Sequence, residues 1–321
     1  MISSTSFEEI NSIIAYLQRV PYDISQKELY SATTLYRGYN PSEAESVRTC
    51  YDSVVYQHFL STGKIAKTVD ESLARTLHDH GMHTALRDFF KDHDPRCCIG
   101  IMGGHALLRT ENMFHAIAKL SKKLTELDFY MLSGGGPGAM EATHLGAWMA
   151  GRSMEEMEDA LSMLEVAPSF HDAGWLSSAF SVLEKYPQHQ YVSLGIPTWL
   201  YGHEPSTPFA THICKFFENS VREDSILTLA FGGIIYAPGS AGTVQEIFQE
   251  AVQNHYLSYG ISSPMVFMGS RFWTKIMPFY PLLKRLMRKG KFKNLRLTVT
   301  DDTVQVIKVL KEFREEVMQY Q

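Results

Sequence analysis

Two glycine-rich turns contain the residue types and spacing that could do chemistry in this chain. They are residues 133–142 (SGGGPGAMEA) and residues 237–246 (APGSAGTVQE). Each turn follows a short apolar run and precedes a segment with helical character. A strand, a glycine turn and a helix together present free backbone N–H groups and the positive end of the helix to an anion, most often a phosphate. The two turns therefore predict a phosphate-bearing ligand, with Glu246 placed to do chemistry beside it.

The second turn favours a functional interpretation over a purely structural one. Gly239 and Gly242 let the backbone approach a ligand closely, and Thr243 supplies a hydroxyl group where the helix starts. Glu246 could serve only to complement the helix dipole, but a glycine turn followed by an acid is more than helix capping requires. A serine hydrolase is disfavoured because proline replaces the first glycine of the nucleophile elbow, and no histidine is obviously paired with Ser240.

The first turn formally fits the dinucleotide fingerprint G-x-G-x-x-A, through Gly134, Gly136 and Ala139. That fingerprint requires an acidic residue at the end of the next strand, about 20 residues further on. The acidic residues at that distance, within 155–159, lie on a predicted helix and not at the end of a strand. NAD binding is therefore disfavoured. Close packing between helix and strand is a credible alternative role for some of these glycines, although not for all of them.

Composition argues against several classes of protein. Of the 321 residues, 45% are hydrophobic and 20% are charged, which is ordinary for a globular protein. The net charge of −5 and the lack of a prominent basic face or run argue against nucleic acid as the main partner. No apolar run reaches the roughly 20 residues that span a bilayer, and residues 1–10 lack the pattern of a secretory signal. We therefore expect a cytoplasmic protein with no membrane partner.

No metal site is predicted. The four cysteines show neither metal nor redox spacing. His78 and His80, in the sequence HDHGMH at 78–83, lie two residues apart on a predicted helix and so point in different directions. A solvated helix end before Gly81 accounts for this cluster without a metal.

The order of the predicted elements indicates an α/β protein with an added helical part. Residues 1–95 contain helical patterns at 43–60 and 68–90, the second with a capping box that starts at Thr68. From residue 96 to 321 strands alternate with helices, and the predicted strands are 97–102, 129–132, 191–196, 234–236, 264–268 and 295–299. Such alternation predicts a Rossmann-like, doubly wound parallel sheet with helices on both faces. We expect an N-terminal all-helical extension at 1–95 and a nucleotide-binding catalytic domain at 96–321.

The paired turns resemble the motifs of the Lonely Guy (LOG) family, whose general forms are GGGxxGxM and PGGxGTxxE. This family, also known as "lysine decarboxylase-like", hydrolyses nucleoside 5′-monophosphates to free base and ribose 5-phosphate. The tripeptide at 103–105 (GGH) and residues 204–208 (EPSTP) resemble the branch of nucleotide 5′-monophosphate nucleosidases. The resemblance covers residues 96–256 and is most specific in the second turn.

The resemblance implies Glu246 as a catalytic residue, paired with Arg222 on the helix before the fourth predicted strand. A carboxylate there stabilises an oxocarbenium-like sugar and orients the attacking water, and no metal or other cofactor is required. Two positions depart from the family pattern, because Ser240 replaces a glycine and Glu223 replaces a common lysine. Implied in binding substrate or its phosphate are Gly104, His105, Gly134, Gly135, Gly136, Gly138, Gly239, Ser240, Ala241, Gly242 and Thr243. His105 and Arg109 could reach the base or the phosphate, and the alternative for His105 is a structural role after the strand.

Two further questions stay open at this point. A non-catalytic protein that binds or senses nucleotides on the same fold is the alternative to the enzyme. The resemblance also implies a homodimer or higher homo-oligomer, and apolar residues within 211–217 and 247–252 exceed what one sheet needs to cover. The N-terminal helices could instead cover that surplus face within one chain.

Overall fold

Seven parallel strands form one sheet at the centre of the molecule. The computed structural model describes the backbone of residues 4–319 and the side chains of residues 9–319. The strands are β1 (Cys98–Met102), β2 (Tyr130–Ser133), β3 (Ser193–Gly195), β4 (His212–Ile213), β5 (Gly233–Tyr236), β6 (Pro264–Phe267) and β7 (Arg296–Val299). Their order is β4-β3-β2-β1-β5-β6-β7. This topology confirms the predicted doubly wound Rossmann-like fold, and the winding reverses between β1 and β5.

Twelve α-helices surround the sheet in the described part of the chain. They are α1 (Ser4–Leu17), α2 (Ala32–Leu35), α3 (Tyr51–Thr62), α4 (Val69–Asp92), α5 (Asn112–Thr125), α6 (Ala139–Trp148), α7 (Met154–Leu164), α8 (Trp175–Lys185), α9 (Asn219–Leu229), α10 (Ala241–Tyr256), α11 (Phe279–Arg288) and α12 (Thr303–Met318). No helix among residues 4–319 is long and apolar enough to cross a membrane. Residues 1–10 are predicted to carry no secretory signal, and the first three of them lie outside the described residues.

Alternate side chains of the strands contribute to two cores, one on each face of the sheet. In β5, Ile235 belongs to the core that contains α5 and α6, whereas Ile234 and Tyr236 belong to the opposite core. Both faces are therefore apolar, as expected for parallel strands covered by helices. The opposite core also contains buried residues of α3 and α4, such as Phe59 and Met82. The N-terminal helices thus pack on the same core as the sheet, and the division at residue 95 stays a prediction.

The histidine cluster at 78–83 lies inside α4 and does not form a helix end. A Cβ added at Gly81 would lie 2.3 Å from the carbonyl oxygen of Gln26, so the missing side chain lets that backbone pack against the helix. His78 is fully buried and makes hydrogen bonds with the Tyr30 hydroxyl and with Asp79. The prediction of a solvated helix end was therefore wrong. Within residues 4–319, no three His, Cys, Asp or Glu side chains are grouped to hold a metal ion.

The surplus apolar face expected at 211–217 is covered within the chain. This segment is β4 and its following connection, not a helix. Ile213, Phe216 and Phe217 are buried, and Phe217 packs against Phe59 of α3 at a ring-centroid distance of 6.0 Å. The N-terminal helices therefore cover this apolar face within one chain, which was the alternative to a contact between two chains. In the second segment, Ile247 is likewise buried, whereas Val252 is 44% exposed.

Candidate functional site

A cleft opens where the connections after β1 and β5 meet, at the point where the winding of the sheet reverses. The two connections are joined by a hydrogen bond from the Gly104 N–H to the Pro238 carbonyl, at 3.1 Å. The cleft has a volume of about 360 Å³. Its lining residues are Gly103, Gly104, His105, Met140, Tyr201, Glu204, Arg222, Glu223, Ser240, Ala241, Gly242, Thr243, Gln245, Glu246 and Gln249. Ligands of doubly wound folds bind at such a place.

The N-terminus of α10 forms one wall of the cleft. Ser240 occupies the N-cap position, but its side chain makes no capping hydrogen bond. The N–H groups of the first helical turn have no partner within the helix, so they and the positive helix end face the cleft. Ser240 has φ −113°, outside the left-handed region that favours glycine, so a serine is accommodated where the family has glycine. At Gly242, an added Cβ would meet no atom within 4 Å.

Glu246 lies one turn further along α10, at the floor of the cleft. Its side chain is half-buried. Burial raises the pKa of this carboxyl from its ordinary value to about 7, the positive charge of Arg222 lowers the pKa, and the negative charge of Glu223 raises it. Near neutral pH the group is thus divided between its protonated and ionised forms. A carboxyl poised in this way is suited to proton transfer and to the stabilisation of a nearby positive charge.

Arg222 links the two glycine turns. The side chain extends from α9, and its Nε donates a hydrogen bond to the Ile196 carbonyl at 2.9 Å. A Cβ added at Gly134 would lie only 2.2 Å from Nη2 of Arg222, so any larger residue here would displace the guanidinium. The two residues predicted to form the catalytic pair, Arg222 and Glu246, both line the cleft. Their catalytic roles remain a proposal.

The first glycine turn packs beneath the cleft and does not line it. Gly134, Gly135, Gly136 and Gly138 are buried. Gly138 has φ 68°, and an added Cβ would lie 2.4 Å from the carbonyl oxygen of Gly104. Close packing against the backbone therefore accounts for Gly138, and the predicted phosphate contacts of all four glycines stay a prediction. Gly239 is also absent from the lining, whereas Gly104, Ser240, Ala241, Gly242 and Thr243 are present.

Glu204 places a second carboxylate in the cleft. His105 Nδ1 lies 3.7 Å from Glu204 Oε1, and His203 Nε2 lies 3.8 Å from the same oxygen. The Glu204 side chain is only 17% exposed, whereas that of His105 is 48% exposed. Glu204 was not predicted as a site residue, because nothing local in the sequence at 204–208 indicates that this loop folds toward α10. Met140, Tyr201, Gln245 and Gln249 also line the cleft and were not predicted.

Arg109 has a structural role away from the cleft. The side chain is 1% exposed and its Nε donates to both carboxylate oxygens of Glu141, at 3.2 and 3.1 Å. Its other nitrogens donate to the Trp175 carbonyl and the Ser178 hydroxyl. This network joins α6 to α8, and it excludes the interpretation in which Arg109 reaches a ligand in the cleft.

The N-terminal helices support two sides of the cleft. Asp79 of α4 accepts hydrogen bonds from the backbone N–H groups of Phe217 and Glu218, at 3.0 and 2.9 Å, just before α9 begins. Asp52 of α3 pairs with buried Lys215 at 2.7 Å, and Lys215 also donates to Ser206, two residues after Glu204. Residues 1–95 therefore hold the helix that bears Arg222 and the loop that bears Glu204.

Comparisons with known proteins give a likeness in fold only. No protein-family model matches the chain, and no curated protein matches its sequence. Among solved structures it is similar to a molybdenum cofactor binding protein from the phototrophic bacterium Rippkaea orientalis, with 14% identity over 67% of this chain and 95% of that chain and a TM-score of 0.41. It is also similar to the molybdenum cofactor carrier protein of Chlamydomonas reinhardtii, with 16% identity, coverage of 67% and 96%, and a TM-score of 0.42. It is similar as well to the protein TM1055, with 14% identity over 67% of this chain and 98% of that chain and a TM-score of 0.43. At these values the likeness says nothing about activity.

Proposed function

We propose that this protein hydrolyses the N-glycosidic bond of nucleoside 5′-monophosphates and releases free base and ribose 5-phosphate. The observation that carries the proposal is Glu246, a carboxyl with a pKa of about 7 placed one turn inside an uncapped helix N-terminus. The proposal agrees with the resemblance of both turns to the LOG family and its nucleosidase branch. It requires no metal or other cofactor.

In this proposal each wall of the cleft has a separate task. The first-turn N–H groups of α10, around Ser240 to Thr243, bind the 5′-phosphate. Arg222 presents a planar guanidinium to ribose hydroxyls and keeps Glu246 partly ionised. As the glycosidic bond breaks, the sugar becomes oxocarbenium-like, and ionised Glu246 stabilises that charge and orients the attacking water.

A panel of nucleotides tests the proposal directly. Purified protein is incubated with purine and pyrimidine nucleoside 5′-monophosphates and with the matching nucleosides, and free base and ribose 5-phosphate are measured by chromatography. We expect base release from at least one monophosphate and at least about a hundredfold less from its nucleoside, because the phosphate supplies most of the binding. Equal rates for the two would remove the phosphate-binding wall from the proposal.

A non-catalytic nucleotide-binding protein is the second candidate. Two observations favour it: Arg222 already donates to the Ile196 carbonyl, and Glu223 adds a negative charge beside the cleft. For a non-catalytic protein we expect saturable binding of a nucleoside monophosphate, measured by calorimetry, and no free base after prolonged incubation.

A further inference from the structure

Positive charge is concentrated in one segment of this otherwise acidic chain. Residues 271–300 contain nine of the 30 Lys and Arg residues and none of the 35 Asp and Glu residues. This segment corrects the expectation, stated beside the net charge of −5, that no basic run stands out. Six of the nine lie within ten residues and form what we call the basic patch: Lys284, Arg285, Arg288, Lys289, Lys291 and Lys293.

The side chains of the basic patch are available to a partner. All six residues are exposed. Among the ion pairs of the described residues none involves the patch, whereas Arg296, just beyond it, pairs with Glu316. Exposed cations without acidic neighbours create a local positive potential that attracts polyanions.

The backbone holds the basic patch in a fixed shape. Leu283 anchors α11 in the core and is fully buried. After the helix, the Lys291 N–H donates to the Leu286 carbonyl at 2.9 Å, and the Lys293 N–H donates to Nδ1 of His255 at 2.9 Å. The turn is thereby tied both to α11 and to the end of α10, so the backbone that bears the six charges is held in one place.

An exposed aromatic ring lies next to this surface. Tyr256 is 73% exposed, and its ring centroid lies 4.6 Å from that of His255, the residue that accepts the hydrogen bond from Lys293. The patch leads into the start of β7, at the amino end of the sheet, whereas the cleft lies at the carboxyl ends of β1 and β5. The two surfaces are therefore separate.

We propose that the basic patch and Tyr256 bind single-stranded RNA. The cations contact the phosphates along the strand, and the tyrosine ring stacks on a base, which is the usual combination for single-stranded nucleic acids. A membrane surface fits less well, because a peripheral helix needs an apolar face to insert. The apolar face of α11 is occupied: Phe279 packs on Phe248, and Tyr280 packs on Phe267.

The test measures fluorescence anisotropy of a labelled oligouridylate of about 20 nucleotides titrated with the full chain. The patch variant combines Lys284→Gln, Arg288→Gln, Lys291→Gln and Lys293→Gln. The matched control makes the same change in charge at exposed lysines elsewhere, with Lys27→Gln, Lys64→Gln, Lys67→Gln and Lys123→Gln. Circular dichroism and thermal unfolding verify that both variants stay folded.

We expect the patch variant to bind at least about tenfold more weakly at about 50 mM salt, and the control to bind like the wild type. The dependence of affinity on salt should also weaken in the patch variant, because fewer counterions are released. Tyr256→Ala should weaken binding severalfold without changing the dependence on salt. Equal binding by the patch variant and the control, no binding by the wild type, or binding only to phosphatidylserine vesicles would each overturn the proposal.

Discussion

At the scale of single residues, Glu246 lies between opposite charges that adjust its ionisation. Because the proposed reaction needs the carboxylate, kcat/KM should rise with pH through about 7, the pKa of Glu246. Arg222 lowers this pKa, so Arg222→Gln should move the rise to higher pH. Glu223 raises it, so Glu223→Gln should move the rise to lower pH. Rate profiles of the three proteins measure both shifts, and shifts in the same direction would contradict the assignment.

Glu250, one turn beyond Glu246, makes the stability of the fold depend on pH. It is buried and accepts a hydrogen bond from the Ser263 hydroxyl, and burial raises its pKa from 4.5 to about 7. The folded state therefore keeps a proton that the unfolded chain loses, so stability that is present below pH 4.5 is lost as pH rises through about 7.

Glu250→Gln should remove the loss of folding stability that ionisation of Glu250 causes as pH rises. This contribution is on the order of 2 kcal/mol between about pH 5 and pH 8. Urea unfolding at both pH values measures the effect, and exposed Glu312→Gln is the control. An unchanged difference in stability between the two pH values would show that Glu250 ionises freely in the folded protein.

At the scale of elements, α4 positions α9 through one carboxylate. Asp79→Ala removes the acceptor for two backbone N–H groups at the start of α9 and should destabilise the fold by about 1–3 kcal/mol. Because α9 bears Arg222, the proposed base release should slow as well. Asp79→Asn keeps one acceptor oxygen and should give an intermediate effect on both measurements.

Asp88→Ala is the matched control for Asp79, since Asp88 lies on the same helix with 54% of its side chain exposed. Denaturant unfolding and turnover are measured for all variants. A loss in Asp79→Ala no larger than in the control would show that α9 does not depend on α4.

Most elements around the cleft could be predicted from sequence, because apolar runs and glycine turns are local signals. β5 was predicted at 234–236 and is Gly233–Tyr236, and the Thr68 hydroxyl caps α4 by accepting from the Glu71 N–H. β4 was missed because two residues leave no periodicity to detect. The place of Glu204 in the cleft also escaped prediction, because its loop is held at Ser206 by Lys215 and by Tyr36, and Tyr36 is distant in sequence.

At the scale of the whole molecule, the shared core predicts one cooperative unfolding transition. Trp199 stacks on Phe217 at 4.4 Å and donates to Asp52 of α3, so removing residues 1–95 would expose both rings. We expect a fragment of residues 96–321 to lack cooperative thermal unfolding. A fragment of residues 21–321, which loses α1 and the three residues after it, should retain it, because none of the side chains described in residues 9–20 is fully buried. Cooperative unfolding of the shorter fragment would support two independent domains.

The homodimer stays a prediction, and light scattering at micromolar concentration tests it. The structure buries Phe216 and Phe217 within one chain, so the expectation now rests on the resemblance and on exposed residues of α10 such as Val252. A mass near twice 36.4 kDa is expected, and a mass near 36.4 kDa would contradict it.

The central claim, that Glu246 drives release of the base, is tested most directly by Glu246→Gln. The variant keeps the shape of the side chain but cannot carry the negative charge that stabilises the cationic sugar. With the monophosphate that the wild type cleaves fastest, we predict that base release falls by about a hundredfold or more. Binding of the same nucleotide, measured by calorimetry, should remain within about threefold, because its phosphate contacts are intact. Turnover near the wild-type rate would contradict the account.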